Sequence, residues 1–101
     1  MRLAKVFVKS KLAGFLKETA TGYTFIYLEN YLGAPISLTI PFCEKPYEFH
    51  AFPPFFDGLL PEGTQLEGLL KLKKLDRNDY FGQLVNVGKD LVGAVTVEED
   101  T

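Results

Sequence analysis

The period of the apolar residues changes once along this chain, at Pro53-Pro54, and that change limits what it can fold into. Before it, apolar and polar residues tend to alternate, the two-residue period of a strand with one buried face. After it, apolar residues recur three and four apart, the spacing of helices that bury one stripe. Residues 3–8 begin the first pattern, and Lys9-Ser10-Lys11 forms a polar turn. A second strand follows over residues 12–18, with Gly14 placed to mark a bulge. After a turn at residues 19–22, Tyr23-Thr24-Phe25-Ile26-Tyr27-Leu28 gives the strongest strand signal, a run of β-favouring residues. A connection covers residues 29–35. Ile36-Ser37-Leu38-Thr39-Ile40 then alternates and predicts a fourth, half-buried strand ended by Pro41. Pro41, Pro46 and Pro53 make residues 42–53 read as an irregular loop.

In the second half, Pro54 suits a first helical position, with Phe55, Phe56, Leu59 and Leu60 following at helix spacing. Pro61-Glu62-Gly63 breaks that helix. Thr64 and Glu67 have the spacing of a capping box, and Leu66, Leu69 and Leu70 give the next helix its buried stripe. Asp76 or Asn78 caps a third helix, in which Tyr80, Phe81, Leu84 and Val85 share a face and which Gly88 stops. Residues 92–97 close the chain as a strand, and Glu98-Glu99-Asp100 is a solvated tail. The expected fold is α+β: a small antiparallel sheet or open barrel of about five strands, with three short helices between the fourth and last strands. With 101 residues and no shift in composition, residues 1–101 form a single domain.

Charge narrows the partners. The net charge is −2 and the sequence pI about 5.3, whereas proteins that grip phosphate backbones usually present a basic face. The cations fall in two loose groups, residues 2–17 and 71–77, which read as solvated faces, so direct nucleic-acid contact is not expected. Cys43 is the sole cysteine, which rules out an intrachain disulfide and a cysteine zinc cluster. No apolar leader follows Met1 and no stretch has the length of a membrane span, so the expected setting is the cytoplasm with no membrane contact.

A search for reaction chemistry returns little. His50, the only histidine, sits in the proline-rich loop with no second histidine to share a metal. Gly88 and Gly93 have the gap of a phosphate loop, but Ala94 and Val95 replace the Lys and Ser or Thr, and the segment leads into a strand rather than a helix. Phe56-Asp57-Gly58 has the wrong order for a kinase metal motif. Asp57 and Glu62 are close in sequence, yet nothing indicates a pocket that would tune them as a catalytic pair. No catalytic residue, metal ligand or cofactor site is expected, and the chain reads as a non-enzyme. What remains is residues 52–63, with five large apolar residues and three prolines in twelve positions. Its prolines lower the entropy cost of presenting a rigid corner to a partner.

At this segment the sequence resembles a known family. Phe55-Phe56-Asp57-Gly58-Leu59-Leu60-Pro61-Glu62-Gly63 is similar to the FF-(D/E)-N-L-L-P-(D/E) signature of the N-terminal subdomain of HipA-type serine/threonine kinase toxins. Val6-Phe7-Val8 and Gly14-Phe15-Leu16 match its opening hairpin. Pro35-Ile36-Ser37-Leu38-Thr39-Ile40-Pro41 resembles its P-(L/I)-S-L-S-L-P segment. Tyr80-Phe81, with Gly88-Lys89-Asp90-Leu91-Val92-Gly93-Ala94-Val95-Thr96, resembles its G-x-D-x-(V/A)-G-A-(V/L)-T ending. Gly58 departs from the usual Asn. In the long family members a kinase core follows, and no catalytic residue of that core has a counterpart here.

The resemblance is to a stand-alone copy of this subdomain, the HipS-like component of a split toxin–antitoxin system. It implies a non-catalytic, antitoxin-like protein that binds and neutralises a HipA-like kinase lacking this subdomain, with a helix-turn-helix repressor as a further partner. The alternative it implies is a scaffold that completes a split kinase or recruits the repressor without inhibiting. The expected contact surface is the corner of Leu60, Pro61, Glu62, Thr64, Gln65 and Glu67, supported from the core by Phe55 and Phe56.

Overall fold

The computed structural model describes residues 2–91 and 93–100. Strands β1 (Leu3–Val8), β2 (Lys11–Thr19) and β3 (Gly22–Tyr27) form an antiparallel meander. Lys9 and Ser10 make the first hairpin turn with φ of 51° and 68°, the left-handed geometry that a two-residue connection needs to match the strand twist. Val6 pairs with Gly14 but Phe7 pairs with Leu12, which leaves Ala13 as the extra residue of a bulge beside Gly14, where the sequence placed one. Strand β4 (Tyr47–Phe49) pairs with β3, and β5 (Val95–Glu99) pairs with β1, so the order across the sheet is β4-β3-β2-β1-β5. Three helices lie between β4 and β5: α1 (Pro54–Asp57), α2 (Gly63–Lys73) and α3 (Tyr80–Val87), the last running into a 3₁₀ turn (Gly88–Asp90). The α+β class, the five-stranded antiparallel sheet and the position of the helices agree with expectation.

The core lies on one face of the sheet. Ala4, Val6 and Val8 of β1, Leu16 of β2, Phe25 and Tyr27 of β3, and Val95 and Val97 of β5 point into it. Phe56 from α1, with Phe81 and Leu84 from α3, closes it from the other side. Burying each of the Val, Leu and Phe side chains contributes about 1.5–3 kcal/mol, the main force holding helices to sheet.

The fourth strand is not where the alternation placed it. Residues 36–40 form a tight turn with a single bridge between Ser37 and Ile40. Ile36 and Ile40 are buried, whereas Leu38 between them is 96% exposed. The buried Tyr27 hydroxyl explains this: it accepts from the Ile36 N–H at 3.0 Å and donates to the Ile40 carbonyl, taking the groups a strand neighbour would need. Tyr31 donates to the Ala34 carbonyl at 2.6 Å and Tyr47 to the Pro41 carbonyl at 2.7 Å, so three tyrosines pin the whole connection. The sheet position falls instead to Tyr47-Glu48-Phe49, inside the stretch read as loop.

Smaller differences concern helix ends. Asp79, not Asp76 or Asn78, caps α3 by accepting from the Gly82 N–H at 3.0 Å; Asp76 accepts from the Asn78 N–H one turn earlier. Gly88 does end α3, in right-handed conformation, and its glycine is required by close packing: a Cβ there would run into the Val97 carbonyl. Glu98 and Glu99 belong to β5 rather than to a solvated tail, and Val92, expected to open that strand, lies outside the described residues.

Candidate protein interface

The corner between α1 and α2 is built from its prolines and one glycine. Pro53 is fully buried and Pro54 starts α1, a helix of a single turn whose Phe56 is anchored in the core. Phe55 meets Phe56 edge-on at 5.2 Å, supporting the corner from below as expected. The chain continues turning through Leu59 and Leu60, whose N–H groups donate to Phe56 and Asp57 at 3.0 and 3.1 Å. Pro61 has no N–H to continue this ladder, and Glu62 goes extended at φ −130°, ψ 166°. Gly63 then opens α2 with φ +59°, a left-handed turn that a side chain would disfavour even though the surrounding space is empty.

The result is a ridge with a groove on each side. Leu60 and Pro61 line both grooves. The first, about 450 Å³, is floored by Leu59, Val87 and Leu91 and flanked by Gln65 and Asp90. The second, about 320 Å³, runs past Asp57, Glu62, Leu66, Arg77 and Tyr80. Of the expected contact residues, Leu60, Pro61, Glu62 and Gln65 therefore meet on one feature. Thr64 and Glu67 are exposed but line neither groove. The capping box is absent: Glu62 is the N-cap of α2, no side chain caps it, and Glu67 pairs with Arg77 instead. Arg77, Asn78, Asp90 and Leu91, from the distant α2–α3 and α3–β5 connections, and Tyr80, the first residue of α3, also border the grooves, a proximity that local sequence does not reveal.

Helix α2 itself is lightly held. None of its residues is buried; Leu66, Leu69 and Leu70 are only half-covered and Leu72 is 77% exposed. The expected buried stripe is thus a partly open one, because among the described residues no element packs over it closely enough to complete the cover. Its C-terminus is orderly, with Lys74 left-handed at φ 55° and the Leu75 N–H donating to the Leu70 carbonyl at 3.0 Å.

A charged tie fixes the other side of α3. Arg2 donates to Glu18 at 2.9 and 2.8 Å and to Asp79 at 3.2 and 2.7 Å, with its guanidinium 5.0 Å from the centre of the Phe81 ring. The hydrogen bonds from Arg2 hold both carboxyls below their usual range, and the two carboxylates hold the guanidinium above its own. This triad joins β1, β2 and the cap of α3, so its carboxylates are engaged in holding the fold. Elsewhere, His50 is exposed, Cys43 is a free, half-buried thiol, and no cluster of metal-ligating side chains forms among the described residues. No helix among them is long and apolar enough to cross a membrane.

Fold and site together define a small α+β lobe whose most developed surface feature is a ridge between grooves. The sequence profile of the HipA N-terminal domain matches residues 4–98, and the chain belongs to that family. An uncharacterized protein of Haemophilus influenzae is 33% identical over 100 residues, covering 99% of this chain and 94% of its own. A solved structure, the N-terminal domain of HipA toxin, superposes with a TM-score of 0.79 at 31% identity, covering 100% of this chain and 94% of that one. The relation places the chain among toxin–antitoxin-related proteins, in a non-catalytic domain type.

Proposed function

We propose that this protein is a non-catalytic, antitoxin-like lobe of the cytoplasm that docks on a HipA-like serine/threonine kinase lacking this subdomain and neutralises it. The observation that carries the reading is the match to the HipA N-terminal domain along nearly the whole chain, combined with the half-buried Leu60-Pro61 ridge between its two grooves. A lobe supplied as a separate chain can occupy the place a fused lobe would take, with an affinity that concentration controls. The ridge suits that role. Proline and the buried Phe56 anchor fix its shape before binding, so little order is lost on docking. Leu60 and Pro61 supply apolar contact, with Glu62 and Gln65 at their sides. Thr64 and Glu67 sit at the periphery of this contact.

The test is to mix the purified chain with such a kinase and follow both complex formation and autophosphorylation. A stoichiometric complex with lost kinase activity is expected, and Leu60→Asp should weaken it at least tenfold. A complex that leaves activity unchanged or raises it would make the chain a scaffold, and no complex at all would overturn the reading.

A further inference from the structure

A second surface, sharing no residue with the ridge, has its own character. At the C-terminal end of β3 a groove of about 380 Å³ lies between Ile26 and Phe42, with Leu28 beneath and Glu29 and Glu44 along it. Ile26 and Phe42 are 37% and 44% exposed, so both leave apolar surface open at the groove. Ile26 lies on the face of the sheet turned away from the helices, directly across from the half-buried Phe15 of β2, so the apolar surface continues onto that face. Phe42 is held in place from behind, its ring 5.5 Å from that of Tyr27, and the connection that carries it is pinned by the tyrosine hydroxyls. The groove is therefore preformed.

Its charge selects an occupant. Glu29 and Glu44 make no ion pair among the described residues. Lys11 stands over the Tyr31 ring at 5.6 Å, and Lys45, next to Glu44 in sequence, does not line the groove. Two carboxylates without an ion pair among the described residues, beside the exposed edges of Ile26 and Phe42, complement a segment that carries Lys or Arg next to Leu, Ile or Phe, the pattern of a basic amphipathic helix. The geometry points to this groove as a docking site for a basic amphipathic segment of a partner protein, separate from the Leu60-Pro61 ridge and independent of what the ridge binds.

The probe is a synthetic amphipathic peptide of Lys and Leu, added to the isotopically labelled full chain and followed by amide chemical shifts. A matching peptide of Glu and Leu serves as control. Saturable shifts confined to residues 15, 26–30 and 42–44 are expected, weakening with salt and absent with the acidic peptide. The double variant E29K/E44K, exposed at both positions and so compatible with folding, should lower the peptide affinity at least tenfold. Phe42→Ser should lower it comparably, with an unchanged fold checked from the remaining amide signals. Shifts scattered over the surface, equal binding of the acidic peptide, or indifference to E29K/E44K would each overturn the proposal. So would shifts at residues 26–30 and 42–44 that vary on dilution of the chain alone, because the groove would then belong to a second copy.

Discussion

Helices α2 and α3 differ in apolar content, four of eleven residues against five of eight, and in fate. The shorter one, α3, has eight residues, buries Phe81, Gly82, Gln83 and Leu84, and is capped by Asp79, which Arg2 in turn holds. The longer one, α2, has eleven residues, buries none and has no side-chain cap. Most helix stability in a folded protein comes from packing an apolar face rather than from length. The domain therefore rests on α3, and α2 is the helix it most easily leaves loosely covered. Even polar groups follow this division: the Gln83 amide, in the core, donates to the Asp76 and Arg77 carbonyls at 3.3 and 3.0 Å, closing the α2–α3 connection over the buried side.

Core truncation should separate the two helices most. Phe81→Ala is expected to cost about 3–5 kcal/mol in urea denaturation, and Leu69→Ala of α2 less than half of that; equal costs would mean that α2 is as deeply docked as α3. Arg2→Ala comes next, at roughly 1–2 kcal/mol near neutral pH, since the triad is partly exposed and screened. Its pH dependence has a definite sign. Glu18 and Asp79 have depressed folded-state pKa values, so their contribution is fully present above the ordinary carboxylate range. It is lost as pH falls through the depressed values. Stability measured from about pH 6 down to 2 should drop more steeply in the native protein than in Arg2→Ala.

Smaller effects should have opposite signs in the two helices. Gly68, in mid-α2, has open space where a Cβ would go, so Gly68→Ala should raise stability by about 0.5–1 kcal/mol. At Gly82 of α3 a Cβ would collide with the Asp79 carboxylate, so Gly82→Ala should lower the melting temperature. The least effect is expected at Leu72, where replacement by Ser should stay within about 0.5 kcal/mol in the same denaturation assay. A large loss there would show that α2 is covered in solution.

The sequence pattern was legible wherever one physical demand dominated. β1, β2 and β3 follow the alternation that a one-sided sheet requires, and even the bulge was marked by Gly14. Residues 36–40 mislead because Ile36 and Ile40 are inward at the two feet of a turn, while alternation counts Leu38 as a third inward residue. Nothing local reveals that a tyrosine nine positions away in sequence occupies the Ile36 N–H. Tyr47-Glu48-Phe49 alternates as a strand should, but at three residues it is too short to stand out among prolines. At the corner, the apolar ridge was readable because Pro61 and Gly63 interrupt a helical pattern. Its grooves were not, because about half of their lining arrives from α3 and the connections on either side of it, which only the tertiary fold brings alongside.

The meeting of Gly88 with β5 has a consequence for the lifetime of the free chain. The Lys9 N–H donates to Ala94 and the Asp100 N–H to Leu3, at 2.7 and 2.8 Å, so the pairs that exchange hydrogen bonds with β1 alternate with Val97 left between them. The Val97 carbonyl thus points outward, and the 3₁₀ turn at Gly88 stands against it. Fibrils grow by strands adding to an open edge. One border of this sheet is obstructed by that turn and the other is a strand of only three residues, so the chain has little purchase to offer for polymerisation.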